Sequence, residues 1–429
     1  MKMCAVDFLK ACADGTMTAT AYADSCLAEI DRTDSQILAW QYLDPAQVRT
    51  AAEQADTASA GLALRGAPVG IKDIIDTSDA PCAYGSAVFT GRHPEADADL
   101  ITALRQAGAN IIGKTVTTEF AYLEKSRTRN PHNLAFSPGG SSSGSAAAVA
   151  AGHIPLAVGT QTGGSVIRPA SYCQVHAFKP THSAISKTGV LQTSETLDQV
   201  GFFASSVQDL ALLSSVLVGT SPPDRLRPLT APPRLLMWQG LYGDAVADYV
   251  HDGLARIAEA LGSVIEVLPA PQDQIARFQA AHKMIYDVEI GRNLGPVADA
   301  NPDKVSAFVT DVVSRGRKIA REDYHQALLI RDEARAFMDS LFADYDGVLT
   351  ASATGQAPLF ENGTGNPACN TLWSLCGSPC LSLPLDGAMR MTGPDGLGVG
   401  LQLTGGLGCD EQVLKVGAWL DAQLERSGK

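Results

Sequence analysis

The sequence predicts an α/β fold, and three observations lead to this prediction. The chain has 429 residues, of which 45% are hydrophobic and 18% charged, as in globular proteins with a large core. The run GAPVGIKDIID from Gly66 is short, apolar and bounded by glycine and proline, as buried strands are. In ADADLITALRQAGANIIGK from Ala96, a helical pattern that ends at Gly108 precedes a second apolar strand. Strands and helices therefore alternate, which is the pattern of an α/β architecture.

Other segments also show clear periodicity. Apolar residues recur at helical spacing over Thr18–Arg32, which predicts an amphipathic helix. Helical patterns cover residues 304–320 and 323–345, and the segment YDGVLTA from Tyr345 is typical of a strand. The residues 221–233, rich in proline and arginine, mark the predicted boundary of a sub-region.

The chain is acidic, with a formal net charge of −13 and a pI near 5.0. It lacks the broad basic character that binds nucleic acid or anionic membranes, so we expect neither as a direct partner. The Ala-rich stretch from Ala146 is interrupted by Gly152 and Pro155 and is too short to span a membrane. Because Asp7 and Lys10 lie where a signal peptide would be apolar, we expect a cytoplasmic enzyme.

Nine cysteines lie at irregular spacings. The close pair Cys376 and Cys380 lacks the second pair or the nearby histidines that would complete a zinc site. We therefore expect reduced, mostly buried thiols and no metal.

The segment Ser137–Ser165 is unusual, because two Gly/Ser-rich loops enclose one helix-like and one strand-like stretch. A flexible linker would not contain AAAVAA and IPLAV, which require burial. Neither loop ends in the Lys-Ser/Thr of a nucleotide-binding loop. GSSSG at residues 140–144 fits the G-x-S-x-G nucleophile elbow around Ser142, but poor strand formers precede it and the downstream histidines lack a triad context.

A serine nucleophile that lacks a histidine needs another base, and a lysine kept neutral by burial can take this role. Lys72 is the candidate, since it lies among apolar residues in a strand that we expect to be buried. The alternative is a structural lysine in an ion pair with its neighbour Asp73. The residue chemistry alone leaves both interpretations open.

Three motifs in order resemble those of the amidase signature family. They are GIKDIIDT around Lys72, SPGGSSSGSAAAVAAG around Ser141 and GTQTGGSVIRPA around Ser165. The resemblance continues to about Leu213 and returns near the C-terminus in NTLWSLCGSPCLSLPL and GLGVGLQL. It therefore covers most of the chain.

The resemblance has clear implications for the architecture. It implies a single α/β/α domain over residues 1–429 with a large mixed central sheet. The catalytic core would lie at about 66–206, and a variable region that shapes specificity would lie at about 221–340. Homodimers are frequent in such enzymes, so a second copy of the chain is a candidate partner beside the small-molecule amide.

The resemblance also implies a Ser-cisSer-Lys triad that cleaves amides through an acyl-enzyme, without a metal or organic cofactor. In this chain Ser165 would be the nucleophile, Lys72 the base, and Ser141 the serine that bridges them after a cis peptide bond with Gly140. Ser142 would cap the following helix or orient Lys72.

The second motif loop would form the oxyanion hole. The small residues there would let backbone N–H groups approach a carbonyl oxygen at the start of a helix, whose dipole favours negative charge. The residues concerned are Thr162, Gly163, Gly164 and Ser165.

One departure from the usual family pattern concerns substrate binding. Most members carry an arginine two residues after the nucleophile, whereas here Arg168 lies three residues after Ser165. This arrangement is most similar to that of malonamidases, which implies that Arg168 binds the free carboxylate of a malonamate-like amide. The alternative is an arginine that braces the loop through an ion pair.

Other activities remain open within and beyond this class. Aryl amides, hydrazides and urethanes are alternative substrates in the same family. The glutaminase subunit of a tRNA-dependent amidotransferase is an alternative of another class, since it carries the same motifs. The acidic composition and the position of Arg168 argue against it.

Overall fold

The computed structural model describes residues 3–58, 61–226 and 229–427. Thirteen strands lie within these residues. They are β1 (Trp40–Leu43), β2 (Pro68–Lys72), β3 (Asn110–Thr115), β4 (Leu156–Gln161), β5 (His176–Lys179), β6 (Gln199–Ala204), β7 (Leu235–Gln239), β8 (Ile265–Pro269), β9 (Gly347–Ala351), β10 (Cys380–Leu383), β11 (Met391–Thr392), β12 (Gly398–Val399) and β13 (Leu401–Thr404).

Thirteen α-helices lie in the same part of the chain. They are α1 (Ala5–Ala13), α2 (Ala19–Ile37), α3 (Pro45–Thr57), α4 (Asp99–Gln106), α5 (Ser143–Ala151), α6 (Ile167–Cys173), α7 (Val207–Leu217), α8 (Asp248–Leu261), α9 (Gln272–Ala300), α10 (Ala307–Lys318), α11 (Arg321–Phe342), α12 (Ala368–Cys376) and α13 (Asp410–Ser427). None of the helices described is both long and apolar enough to cross a lipid bilayer.

Eleven strands form one mixed sheet in the order β1-β3-β2-β4-β6-β5-β10-β13-β9-β7-β8. Every residue of β2, β4, β6, β9, β10 and β13 is buried. Because successive side chains of a strand point to opposite faces, both faces of the sheet must be covered. Helices α5 and α7 both pack on β6, and α13 packs on β10 and β13. The predicted α/β fold with one large mixed sheet is confirmed.

The parallel part of the sheet places the candidate residues at one edge. Strand β2 lies between β3 and β4 and runs parallel to both. Parallel strands end at the same edge of a sheet, and Lys72 pairs there with Thr115, while β4 continues past its pairing of Val158 with Ile71 to Gln161. The loops that follow β2 and β4 therefore begin close together.

The predicted helices are present, with shifted ends. The N-terminal helix α2 begins after Thr18, whose hydroxyl accepts the N–H of Ala21 at 3.1 Å, and it extends to Ile37. The helix predicted over 304–320 begins only at Ala307, because Ser306 is its N-cap. The predicted boundary at 221–233 includes residues 227–228, which lie outside the described residues.

The cysteines are mostly buried. Six of the nine are buried, including Cys376 and Cys380, while Cys409 is exposed. Burial raises the pKa of Cys376 to about 12, so this thiol is neutral near neutral pH.

Candidate active site

Lys72 ends β2 with its whole side chain buried. Its Nζ lies 2.8 Å from Ser141 Oγ, 2.8 Å from Thr160 Oγ1 and 3.4 Å from the carbonyl oxygen of Thr160. Burial lowers the pKa of Lys72 well below the usual lysine value, and the charge of Asp198 opposes this shift without cancelling it. Lys72 is therefore neutral over a pH range in which an exposed lysine is protonated.

Asp73 is engaged elsewhere, although it follows Lys72 in the sequence. Its Oδ2 accepts the N–H of Ala83 at 3.3 Å. Burial raises the pKa of Asp73 to about 6, and the cation that opposes this shift is Lys114. The interpretation of Lys72 as the ion-pair partner of Asp73 is therefore wrong.

Ser141 lies in a tightly packed loop before α5. The peptide bond between Gly140 and Ser141 is cis. The carbonyl oxygen of Ser141 accepts the N–H of Thr118 at 3.2 Å, and Ser143 Oγ donates to the carbonyl oxygen of Gly139 at 2.8 Å. These bonds fix the loop on both sides of the Ser141 hydroxyl.

Of the two roles expected for Ser142, the structure contradicts only the capping of the following helix. Ser142 precedes the first residue of α5, yet its side chain makes no capping bond. Instead, Ser142 Oγ donates to the carbonyl oxygen of Thr160 at 3.2 Å and accepts the Thr160 N–H at 3.3 Å. It is completely buried, so this geometry does not support a nucleophile elbow at Ser142. Ser142 and Lys72 therefore both form hydrogen bonds with Thr160.

Ser165 is the most accessible of the three predicted catalytic residues. It keeps 9% of its surface exposed, against 2% for Ser141 and none for Lys72. The exposed fraction therefore decreases from Ser165 through Ser141 to Lys72.

The loops that carry Ser141 and Ser165 are held against each other. Arg168, three residues after Ser165, donates from Nη2 to the carbonyl oxygen of Gly140 at 2.8 Å. Gly139 has a φ of +82°, and a Cβ atom there would lie 2.9 Å from Cα of Pro169. The glycine thus permits the close approach of the two loops.

The loop of residues 162–165 is held by side chains from distant segments. Thr162 Oγ1 donates to Asp198 Oδ1 at 2.6 Å, and the carbonyl oxygen of Thr162 lies 3.0 Å from His282 Nε2. Ser374 Oγ donates to the carbonyl oxygen of Gly163 at 2.7 Å. The loop is therefore rigidly placed by residues from across the chain.

The side chain of Gln161, the last residue of β4, binds N–H groups at the start of helix α6. Its Oε1 accepts the N–H groups of Val166 at 2.9 Å and Ile167 at 3.0 Å. These N–H groups are therefore unavailable to a substrate, and the helix begins two residues after Ser165 rather than at it. Among the described residues, no hydrogen bond occupies the N–H groups of Gly163, Gly164 and Ser165, so the predicted loop keeps donors that the first turn of α6 does not have.

Arg168 is buried, with 2% of its surface exposed. Besides its bond to Gly140, Nη2 lies 3.4 Å from Thr364 Oγ1. Within the described residues, Nε and Nη1 have no hydrogen-bond partner. Burial lowers the pKa of Arg168, and the nearby Tyr172 and Tyr286 oppose the shift. Arg168 does brace the loop, but through a carbonyl and a hydroxyl instead of the ion pair that the alternative required.

Sequence reasoning did not identify Thr160, Asp198, His282 and Ser374 as parts of the site. Thr160 lies within the GTQTGGS motif and Asp198 in the segment TLDQVG, so both stood in stretches already noticed for family resemblance. His282 lies in α9, inside the region expected to vary, and carries no local signal.

A mixed α/β sheet and a buried lysine in contact with a serine are features of hydrolases that use a nucleophilic serine. The chain belongs to the amidase signature family: the family model described as Amidase matches residues 21–236, about half of the chain.

Two relatives and a solved structure resemble half or more of the chain. A glutamyl-tRNA(Gln) amidotransferase subunit of Mycobacterium ulcerans is 31% identical over 95% of this chain and 94% of its own length. The corresponding subunit from Chloroflexus aggregans is 41% identical, but the match spans 50% of this chain and only 46% of that protein. A solved structure from work on an s-triazine catabolic enzyme and a vestigial protein complex has a TM-score of 0.90, with 26% identity and 99% coverage of both chains.

Proposed function

We propose that the protein hydrolyses the C–N bond of a small, carboxylate-bearing amide through an acyl-enzyme on Ser165, with Ser141 as proton relay and Lys72 as base. The observation that carries this proposal is the contact of 2.8 Å between Ser141 Oγ and a completely buried Lys72. The family to which the chain belongs supports the amide as substrate class.

The surroundings of Lys72 suit a neutral amine. A neutral amine has two N–H donors and one lone pair, whereas an ammonium has three donors. Thr160 offers its carbonyl oxygen and its hydroxyl as acceptors, which leaves the lone pair for the hydroxyl proton of Ser141. Ser141 Oγ can then accept the proton of Ser165.

The proton transfers balance along this path. As Ser165 Oγ attacks the amide carbon, its proton passes to Ser141 Oγ while the Ser141 proton passes to Lys72. When the tetrahedral intermediate collapses, the same path returns a proton to the departing amine. Water then attacks the ester, and its proton passes through Ser141 to Lys72. The same path returns a proton to Ser165 as the acid is released.

The negative charge of the intermediate would be stabilised by backbone N–H groups. The loop of Thr162, Gly163, Gly164 and Ser165 is the candidate, because it adjoins the nucleophile and its N–H groups are not used by α6. Removal of one such donor typically lowers kcat by about 10²- to 10³-fold.

Arg168 supports a carboxylate as the second feature of the substrate. A buried guanidinium with two unpartnered nitrogens is costly unless an anion binds to it. A substrate carboxylate next to the scissile amide would fill this position. The particular likeness to malonamidases remains a prediction from the motif.

The test uses two substrates of similar shape, malonamate and isovaleramide, in which an isopropyl group replaces the carboxylate. Ser165→Ala should abolish ammonia release and labelling by a fluorophosphonate, since the nucleophile is lost. Arg168→Ala should slow both substrates through the lost bond to Gly140. It should slow malonamate by about 10- to 100-fold more, because a hydrogen bond to a charged group is lost as well. Equal losses for both substrates contradict the carboxylate-binding role and leave only the bracing role.

The second candidate function is the glutaminase subunit of an amidotransferase. The full-length similarity to the Mycobacterium ulcerans protein favours it more directly than it favours malonamate hydrolysis. Glutamine also carries a carboxylate, but two CH2 groups and the α-carbon separate it from the side-chain amide, against a single CH2 group in malonamate. The two substrates therefore present their carboxylates at different distances from the scissile bond. In this case a partner chain, in place of a second copy, would complete the enzyme.

Glutamine is therefore the third substrate of the panel. Turnover of glutamine but not malonamate, together with a partner that co-purifies from the native host, decides for the amidotransferase function. Turnover of malonamate by the purified chain alone decides for the independent amidase. A cytoplasmic location remains a prediction under either function.

A further inference from the structure

Three consecutive peptide groups of the loop have their carbonyl oxygens held by partners. The pairs are Thr162 O with His282 Nε2 at 3.0 Å, Gly163 O with Ser374 Oγ at 2.7 Å, and Gly164 O with Arg168 N at 3.0 Å. Two of the three partners are side chains, and they come from helices α9 and α12.

In a planar trans peptide group, the C=O and the N–H point in opposite directions. A partner on the carbonyl side therefore fixes the direction of the next residue's N–H. We propose that His282 and Ser374 are positioning residues of the oxyanion hole, which hold the N–H groups of Gly163 and Gly164 toward the reacting carbonyl. The inference rests on the proposed function, because it concerns the same oxyanion.

His282 is suited to this task by its protonation state. It is buried, and burial lowers its pKa to about 4, so the ring is neutral near neutral pH. A carbonyl oxygen only accepts hydrogen bonds, so Nε2 must carry the ring proton and donate it to Thr162. The ring thus provides one donor of fixed direction.

Ser374 has a single proton, and its neighbours determine where it points. Gln161 Nε2 donates to Ser374 Oγ at 3.0 Å, so the Ser374 hydroxyl is free to donate to Gly163 at 2.7 Å. The same Gln161 accepts the first N–H groups of α6. One side chain thereby links the position of the loop to the start of the helix that follows it.

These tethers matter because glycine peptide groups rotate easily. Two consecutive glycines have no Cβ to restrict φ and ψ, so without partners the N–H groups of the loop would sample several directions. Stabilisation of the oxyanion depends on dipoles that are oriented before the reaction. The side-chain bonds supply this orientation.

The test compares His282→Phe, which removes the donor, with His282→Gln, whose amide nitrogen can reach the same carbonyl. Ser374→Ala is compared with Ser378→Ala, a nearby buried serine whose hydroxyl has no partner among the described residues. We expect His282→Phe and Ser374→Ala each to lower kcat by about 10²-fold with little change in KM. His282→Gln should recover most of this loss, and Ser378→Ala should match the wild type.

A purely structural role is separated by a transition-state analogue. Phenylboronic acid forms a tetrahedral adduct with a serine nucleophile, so its inhibition constant should rise by about the same factor as kcat falls. Melting temperatures show whether each variant is folded. The inference is overturned if kcat is unchanged in His282→Phe and Ser374→Ala, or if kcat falls while binding of phenylboronic acid does not.

The same measurements separate this inference from the proposed function. A wild type that shows Ser165-dependent turnover, with unaffected His282→Phe and Ser374→Ala, overturns the positioning role alone. A wild type without Ser165-dependent turnover of malonamate, isovaleramide or glutamine, and without fluorophosphonate labelling, overturns both.

Discussion

Two of the three lysines that are fully buried among the described residues, Lys72 and Lys179, differ in their hydrogen-bond neighbours, and this difference affects their protonation. Lys179 Nζ donates to Gln199 Oε1 and to the carbonyl oxygens of Ser378 and Pro180, three acceptors that match the three N–H bonds of an ammonium. Lys72 also has three neighbours, but only one is a carbonyl oxygen, that of Thr160 at 3.4 Å, and the other two are hydroxyls, which can donate as well as accept. Burial alone therefore does not make a base; the base needs neighbours that satisfy its lone pair.

The charge of Asp198 leads to a prediction about pH dependence. In the proposed mechanism Lys72 accepts a proton only when it is neutral, so kcat/KM should rise with pH through the lowered pKa of Lys72 and stay high above it. Asp198 favours protonated Lys72 and thus holds this pKa up. Asp198→Asn should therefore move the acid limb of the kcat/KM profile to lower pH.

Asp73→Asn is the matched control, since Asp73 is adjacent in sequence but interacts with Lys114. It should leave the acid limb in place. An equal shift in both variants contradicts the assignment of the effect to Asp198.

At the scale of the element, the two glycines of the loop of residues 162–165 are not equivalent. A Cβ at Gly164 would lie 2.4 Å from Asn370 Oδ1, which is closer than real contacts allow. A Cβ at Gly163 would find its nearest neighbour, His282 Cε1, at 3.8 Å, an ordinary contact distance. The motif shows both as glycine, but packing requires it only at Gly164.

This asymmetry gives a prediction for a pair of variants. Gly164→Ala should displace the loop and lower kcat by about 10²-fold, because N–H groups that point elsewhere no longer stabilise the proposed oxyanion. Gly163→Ala should stay within about tenfold of the wild type. Steady-state kinetics with the best substrate of the panel, beside melting temperatures, provide the measurement. Equal losses in the two variants argue that the shape of the bound substrate, not Asn370, sets the requirement for glycine.

How far the sequence predicts the structure depends on the range of the interactions. Strand β2 and helix α5 follow from local apolar patterns, and Lys72, Ser141 and Ser165 follow from motifs. The partners of the loop of residues 162–165 do not follow from local patterns, because His282 and Ser374 are 120 and 211 residues from the groups they bind. No local pattern distinguishes His282 from any buried histidine of a helix.

At the scale of the whole molecule, the C-terminal strands complete the middle of the sheet. Strand β10 pairs with β5, and β13 joins β10 to β9. Without the C-terminal strands, the part of the chain that carries the three motifs would have an unpaired sheet edge at β5. This part also lacks Ser374 and His282.

A chain that ends at residue 220 should therefore fail to form the active site, although it contains Lys72, Ser141 and Ser165. We expect no fluorophosphonate labelling of this fragment under conditions in which the full chain is labelled. Labelling at Ser165 in the fragment contradicts the requirement for the C-terminal strands.

The insertion of β10 beside β5 also has a consequence for protein synthesis. About 200 residues separate Lys179 from Cys380, which becomes its neighbour in the sheet. At typical ribosomal rates this interval lasts roughly 10–40 s. During this time the edge of β5 has no partner and can pair with other nascent chains. Low growth temperatures or abundant chaperones should therefore raise the yield of folded protein more than substitutions of exposed residues do.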